Sequence, residues 1–507
     1  MDGGPDRRLI ITDALVVFLI AWSVAVAYRR IWPLMPGRDF ETYVQYYVDM
    51  WQRTPTYPLL MVYRMPLTPL FIGGLAELGG STAVTIAMNT CYAVAIVASY
   101  FIGAFWSRSV GWASAAVTLV YVGFGALHRE VGSDVLFGTV FLTWCAWIAW
   151  SRQRLTVRTY VLHAVWVVVL TLIRPASQAF LVFAVFPWII EAADIRTRIR
   201  CSAAFLATAV VLLGAFSTYN AVRYQDFTIA RGSGAINPFY RTFVTDRIVR
   251  EENGPASREL ARAVRGDLLN HEPYVSYRVT DKMIFEDGGV RAWSDLTALS
   301  DRTWGWPSHY AILRRAAVEA IVAHPKPYIT GVAHDTMATL GIIGYPPPVV
   351  RSALPEPLKP APAGLPVPTE GQWVPHAYVH WLASSPTGHV NSMDAMVNGP
   401  RLLRIMATIP AGPGKPILAD LLEKAQKMFP PPVIWLIAGA IGTIHFGGLK
   451  RRVFYTLVAL SLIAPMAGVV GQGLVYHYRM PADPVFIAFG LAGFWRTGLG
   501  RSARPGS

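Results

Sequence analysis

The chain has 507 residues, 53% of them hydrophobic and only 15% charged, with 45 lysines and arginines against 31 acidic residues. Its mean hydropathy is +0.37. A soluble globular enzyme needs more polar surface than this composition supplies, so the balance excludes that class and points to an integral membrane protein.

The net charge of +14 does not mark a nucleic-acid binder. The basic residues fall in short runs between apolar stretches, as topology signals do, and no nucleic-acid-binding signature accompanies them. Cys91, Cys145 and Cys201 lie in or beside apolar stretches without a CxxC pair. Neither a disulfide framework nor a zinc site is expected.

A helix needs roughly 20 apolar residues to cross a bilayer. In chain order, the candidate spans are Leu9–Tyr28, Thr82–Phe105, Val110–Leu127, Val131–Trp150, Val157–Ile173, Ser177–Ile190, Cys201–Tyr219, Pro432–Phe446, Val453–Val470 and Pro484–Phe494. The first reads as an uncleaved anchor, because the apolar run is long enough to span. Alternate connections carry Arg7–Arg8, Arg108, Arg152/Arg154/Arg158, Arg196/Arg198/Arg200, Lys450–Arg452 and Arg496/Arg501. By the positive-inside rule these connections are cytoplasmic, and the stretch Asn220–Pro431 lies outside. Arg29 and Arg30 disagree, since they end the first span on its outer side.

The expected fold is therefore an all-α integral membrane protein of about ten transmembrane helices with an extracytoplasmic α-rich domain. Its parts are an N-terminal membrane module (1–219, with a first outer loop at 30–66), an extracytoplasmic segment (220–431) and a C-terminal membrane module (432–507). Within the outer segment, Ser257–Asn270 and Ser308–Ala323 have helical spacing. Pro346–Pro368 is Pro-rich and extended. Pro400–Ile409 and Ile417–Phe429 have the pattern of amphipathic helices lying along the membrane. Tyr328–Ile342, which holds His334 and Asp335, reads as re-entrant or interfacial.

Charged residues near span ends gather on the outer side. Asp39 and Glu41 follow the first span, and Arg64 lies in the same outer loop. His128, Arg129, Glu130 and Asp134 sit between the third and fourth spans, Arg174 ends the fifth, and His477 and Arg479 precede the last. Taken singly, each has a plain reading: a snorkelling arginine, a helix cap at Asp39, a helix N-terminal charge at Asp134. Together they place arginines, which grip phosphate in a planar fork, beside carboxylates able to take a proton from a hydroxyl. The soluble-enzyme motifs fail. Gly412–Pro416 lacks phosphate-loop spacing, and no HExxH or GxSxG is present.

In order, Arg38-Asp39-Phe40-Glu41-Thr42-Tyr43, Arg64-Met65-Pro66-Leu67-Thr68-Pro69-Leu70-Phe71, Ser133-Asp134, Ile173-Arg174-Pro175, His324-Pro325-Lys326-Pro327-Tyr328 and Tyr478-Arg479-Met480-Pro481 resemble the GT-C superfamily of membrane glycosyltransferases. The nearest branch holds the protein O-mannosyltransferases and aminoarabinose transferases. The resemblance implies a GT-C-like bundle in the plasma membrane, with its active site on the extracytoplasmic face. It implies inverting transfer from a polyprenyl-phosphate-linked sugar to a glycan, lipid or protein acceptor, with Asp39 as general base. Glu41 is a second catalytic candidate, although Phe40 separates it from Asp39 where the mannosyltransferases have adjacent acids. Arg64, Arg174, His477 and Arg479 are candidates for the lipid phosphate, and Arg129, Glu130 and Asp134 for acceptor binding or support. A divalent metal is compatible with the superfamily, though no ligand cage is legible. The alternatives are a polymerase or ligase of lipid-linked glycans, and a lipid or glycan flippase or transporter.

Overall fold

The protein is represented by a computed structural model describing residues 7–52, 58–151, 155–190, 194–270, 274–275, 279–285, 293–343, 400–409, 417–426, 428–443, 448–473 and 478–498. About 83% of it is helical, and the sheet is a single two-residue bridge. Five helices are long and apolar enough to cross a membrane: Leu9–Ile31 within α1 (Arg7–Ile31), α4 (Leu67–Ala104), α7 (Ser133–Trp150), α10 (Ile195–Tyr224) and Lys450–Gln472 within α20 (Gly448–Gln472). Four shorter apolar stretches lie at Val157–Ile173, Pro175–Ile189, Pro432–Thr443 and Met480–Phe494. These are α8, a 3₁₀ run leading into α9 (Phe186–Ile190), α19, and a 3₁₀ turn leading into α21 (Asp483–Gly498).

Two of the expected spans take a different form. The stretch 110–127 is cut at Tyr121, whose extended backbone (φ −73°, ψ 91°) separates α5 (Arg108–Val120) from α6 (Val122–Leu127). The Tyr121 hydroxyl donates to Asp483 Oδ2 at 2.7 Å, which holds that break against α21. The span expected at 82–105 is part of the 38-residue α4. A straight helix of that length would reach about 57 Å, nearly twice a hydrocarbon core. Non-helical angles at Gly79 and Gly80 (φ +56° at Gly80) break it, dividing a short arm, 67–78, from the long shaft. Only glycine takes that left-handed angle without strain.

The bundle core is aliphatic and aromatic, built from α1, α4, α5, α7, α8, α10, α20 and α21. Close approaches use small residues. A Cβ on Gly442 of α19 would lie 2.2 Å from the Gly493 Cα of α21, so these two helices touch backbone to backbone, as membrane helices do when van der Waals packing drives their association.

Between α10 and the C-terminal bundle the chain builds a helical unit with its own core. Its helices are α11 (Ser233–Tyr240), α12 (Pro255–Gly266), α13 (Asp281–Phe285), α14 (Trp293–Trp304), α15 (Ala311–Ala323) and α16 (Pro325–Leu340). The stretch 328–342 belongs to α16, which packs on α15 and α20. Buried Arg231 ties this unit together. It pairs with Asp226 (2.7 Å) and Asp301 (3.1 Å) and stacks 3.6 Å over Trp306. Its backbone N–H donates to the Val62 carbonyl at 2.7 Å, which fixes the unit to α3 (Pro58–Tyr63).

Two amphipathic helices finish the assembly. α17 (Pro400–Met406) lies on α2 (Phe40–Asp49), and α18 (Ile417–Gln426) docks at α6. There the Gln426 carbonyl oxygen accepts from the Gly123 N–H at 2.8 Å and Phe429 stacks on Tyr121. The end of the 220–431 segment thus packs on the membrane bundle. The Pro-rich stretch 346–368 lies outside the described residues.

Candidate functional site

The site lies at one end of the bundle, where α1, α8, α10 and α20 end and α4 and α7 begin. The opposite end carries the basic residues. There Arg108 pairs with Asp13, Lys450 donates to the Trp106 carbonyl (3.1 Å), and Arg452 to that of Ile189 (3.4 Å).

Past α1 the chain turns through a parallel bridge, β1 (Met35–Pro36) with β2 (Glu130–Val131). The Met35 N–H donates to the Arg129 carbonyl (2.9 Å) and the Gly37 N–H to that of Val131 (3.1 Å). A Cβ on Gly37 would sit 2.8 Å from the Val131 oxygen, so the two strands approach this closely only with glycine there. The bridge joins the loop holding Asp39 to the segment that leads into α7 and Asp134.

Asp39 then enters α2 with left-handed backbone angles, φ 62° and ψ 18°. Aspartate tolerates this region better than most residues, at some cost. Asp39 precedes the helix but makes no side-chain cap hydrogen bond. Its Oδ2 instead lies 3.0 Å from Arg64 Nη2 and 3.9 Å from Arg38 Nε. The capping reading of Asp39 is therefore not what this geometry shows. Burial pushes the Asp39 carboxyl upward, but Arg64, Arg38 and Arg174 together outweigh it and hold it below its ordinary value.

Arg64 follows α3, its guanidinium over the rings of Tyr63 (5.2 Å) and Tyr43 (5.5 Å). Its Nε is buried and has no partner among the described residues. Arg174 caps the C-terminal end of α8 and pairs with Asp134 in the first turn of α7. Arg174 Nε also donates to Ser133 Oγ at 3.1 Å, and the guanidinium rests on Phe137 (5.1 Å) and Tyr478 (5.3 Å). Tyr478 stands between two arginines, since Arg38 lies 5.9 Å over its ring. Its hydroxyl donates to Gln472 Oε1 at 2.8 Å, and Gln472 Nε2 donates to Asn237 Oδ1 (3.2 Å) in the helical unit of α11 to α16.

The structure thus brings together Asp39, Arg64, Arg174 and Asp134 from four chain regions. It sets Arg479 and Arg129 elsewhere. Arg479 is fully buried (0% exposed). It pairs with Asp483 (3.0 Å) and donates to the Thr339 carbonyl (3.1 Å) and the Tyr121 hydroxyl (3.3 Å). Its guanidinium is a strut between α21, α16 and the α5–α6 break at Tyr121, a position from which it cannot take a lipid phosphate without breaking those bonds. Arg129 is buried against Trp32 and Asn89, and Glu130 lies in β2. Glu41 belongs to α2 by its backbone; its side chain and the whole of His477 lie outside the described residues.

Sequence reasoning missed Arg38, Tyr43, Ser133, Tyr478 and Gln472 as members of the site. Arg38 and Ser133 are direct neighbours of acids it singled out, and Tyr478 of Arg479. Adjacency to a singled-out charge was the available signal.

Three guanidinium groups, of Arg38, Arg64 and Arg174, face two carboxylates, of Asp39 and Asp134. The side chains of Arg38, Asp39 and Arg64 are 40%, 31% and 24% exposed, so an anion can reach them. No group of three or more His, Cys, Asp and Glu able to hold a metal occurs among the described residues. Comparison of the chain with family models, with curated proteins and with solved structures finds no match.

Proposed function

We propose that this protein is a membrane glycosyltransferase that moves a sugar from a polyprenyl-phosphate donor to a hydroxyl acceptor on the outer face of the plasma membrane. The observation that carries the reading is Asp39. It is a helix-entry carboxylate turned away from its helix and held among Arg38, Arg64 and Arg174. A purely structural cap would bond α2; this one faces a cationic cleft.

In the reaction, the donor phosphate lies against Arg64 and Arg38, with Arg174 behind them on its Asp134 brace. Asp39 accepts the proton of the acceptor hydroxyl while that oxygen bonds to the anomeric carbon. The bond from that carbon to the phosphate oxygen breaks, the anomeric configuration inverts, and polyprenyl phosphate leaves with its new charge on the arginines. In the protein alone, Arg64, Arg38 and Arg174 hold the Asp39 carboxyl below its ordinary value, which weakens it as a base. The donor phosphate neutralises the field that depresses it, so binding the donor raises the basicity of Asp39. The base is thereby switched on by the substrate it serves.

The test is Asp39→Asn in purified protein, scored by release of polyprenyl phosphate from a panel of lipid-phosphosugars. Asparagine also accepts left-handed angles, so the fold is expected to survive while turnover falls about 10²- to 10⁴-fold. Turnover near that of the unaltered protein ends the assignment.

A further inference from the structure

On the flank formed by the end of α1 and the turn between α6 and β2, the protein buries a cation with no counter-ion among the described residues. Arg129 is 2% exposed. Its Nε donates to the Trp32 carbonyl and its Nη1 to Asn89 Oδ1, each at 3.1 Å, and both acceptors are neutral. Arg129 Nη2 has no partner among the described residues. The indole Nε1 of Trp32, whose carbonyl Arg129 grips, is likewise buried and unpartnered. His128 holds the Phe124 carbonyl through Nδ1 at 2.8 Å, leaving its Nε2 buried and open.

A water molecule could satisfy a lone N–H. It does not compensate a guanidinium taken out of bulk water, which calls for an anion. Burial and the nearby Arg29 together pull Arg129 down to about 10, as expected of a charge short of negative neighbours. Arg29 and Arg30 are exposed on the last turn of α1, at the same end of the bundle as Asp39 and away from the basic end at Arg108, Lys450 and Arg452. The short basic connections between spans alternate by the positive-inside rule, and these two arginines, at the end of a span, stand against that alternation and need a reason. They lie where an apolar span ends, which is the depth of lipid phosphates.

We propose that Arg129, Trp32 and Arg29 form a second phosphate-binding site, which takes the head-group phosphate of an anionic membrane phospholipid. Arg29 draws the head group in, and Arg129 Nη2 and the Trp32 indole supply donors that no described residue uses. The inference depends on membrane embedding but not on glycosyl transfer, and a failure of either reading leaves the other standing.

The experiment is native mass spectrometry of the delipidated full-length protein, titrated separately with phosphatidylglycerol, phosphatidylcholine and inorganic phosphate. The intact protein is expected to retain phosphatidylglycerol at least tenfold more tightly than phosphatidylcholine. Arg129→Gln is expected to abolish that preference. Because Arg129 also braces the β1–β2 junction, the double variant Arg29→Gln/Trp32→Phe serves as the second probe and is expected to lower the preference several-fold. Equal retention of the two lipids, or an unchanged preference in the double variant, overturns the proposal. Arg129-dependent capture of inorganic phosphate with no lipid preference assigns the site to a soluble anion and overturns the lipid source.

Discussion

The pair Arg174–Asp134 offers the sharpest test of the site, because stability and function should respond to it differently. Both side chains are nearly enclosed, at 12% and 9% exposure. Arg174→Gln leaves Asp134 without the guanidinium bonded to it, and truncating one partner of an enclosed pair costs about 3–5 kcal/mol. Arg174 is not wholly sealed, so the lower end, about 3 kcal/mol, is the expectation. Asp134→Asn should cost less, about 2 kcal/mol, because Arg174 keeps Ser133 and the faces of Phe137 and Tyr478. The double variant restores neutrality with similar shapes and should recover about 2 kcal/mol of the summed loss. Reversible unfolding in mixed micelles, followed by circular dichroism, measures all four proteins. Donor turnover is read in parallel. If Arg174 grips the donor phosphate, the double variant regains stability yet stays inactive. Strict additivity of the two stability losses refutes the ion pair, and full activity in the stable double variant refutes the role of Arg174 in donor binding.

Further outcomes follow from neighbouring features. Gly37→Ala pushes a methyl into the Val131 carbonyl and should cost about 1–3 kcal/mol, with a matching fall in turnover as the Asp39 loop leaves β2; thermal unfolding and the transfer assay check both. Arg231→Met strands buried Asp226 and should cost about 3 kcal/mol, seen as a lowered unfolding midpoint and faster proteolysis of the α11–α16 helical unit. Arg401 on α17 holds Glu77 (2.6 Å), which also accepts from the Tyr47 hydroxyl on α2 (2.6 Å). Arg401 lowers the Glu77 carboxyl most, with Tyr47 aiding, to about 2. A depressed acid stabilises above its ordinary value near 4.5 and loses that contribution as pH falls toward 2. Because the pair is partly exposed, Glu77→Gln should cost under about 1 kcal/mol at neutral pH and flatten the acid limb of the stability profile between pH 4.5 and 2; an unchanged limb counts against the pair.

Much of the site was legible because charges are scarce in an apolar chain. Each arginine or acid beside a span has to sit at a membrane surface, and the alternation of basic loops sorts those surfaces into two. That logic alone selected Asp39, Arg64, Asp134 and Arg174. It failed at Arg479 and Tyr478, where sidedness is the same for both. Their adjacent backbone positions send one side chain into the packed bundle and the other over Arg174, and no pattern of composition encodes which. The helix breaks were hidden for a related reason. The Gly79-Gly80 pair lay before the expected span at 82, and Tyr121 is an ordinary apolar residue until its hydroxyl finds Asp483. Hydropathy reports depth; it does not report direction.

The break at Gly79-Gly80 also lets one segment serve two directions. The shaft of α4 beyond it joins the bundle core with α1, α5 and α7, while the arm before it carries Glu77 and packs Ile72 and Ala76 against Tyr43, Val44 and Tyr47 of α2. The helix that begins at Asp39 therefore rests on the same chain segment that builds the bundle, with no separate loop between platform and pillar.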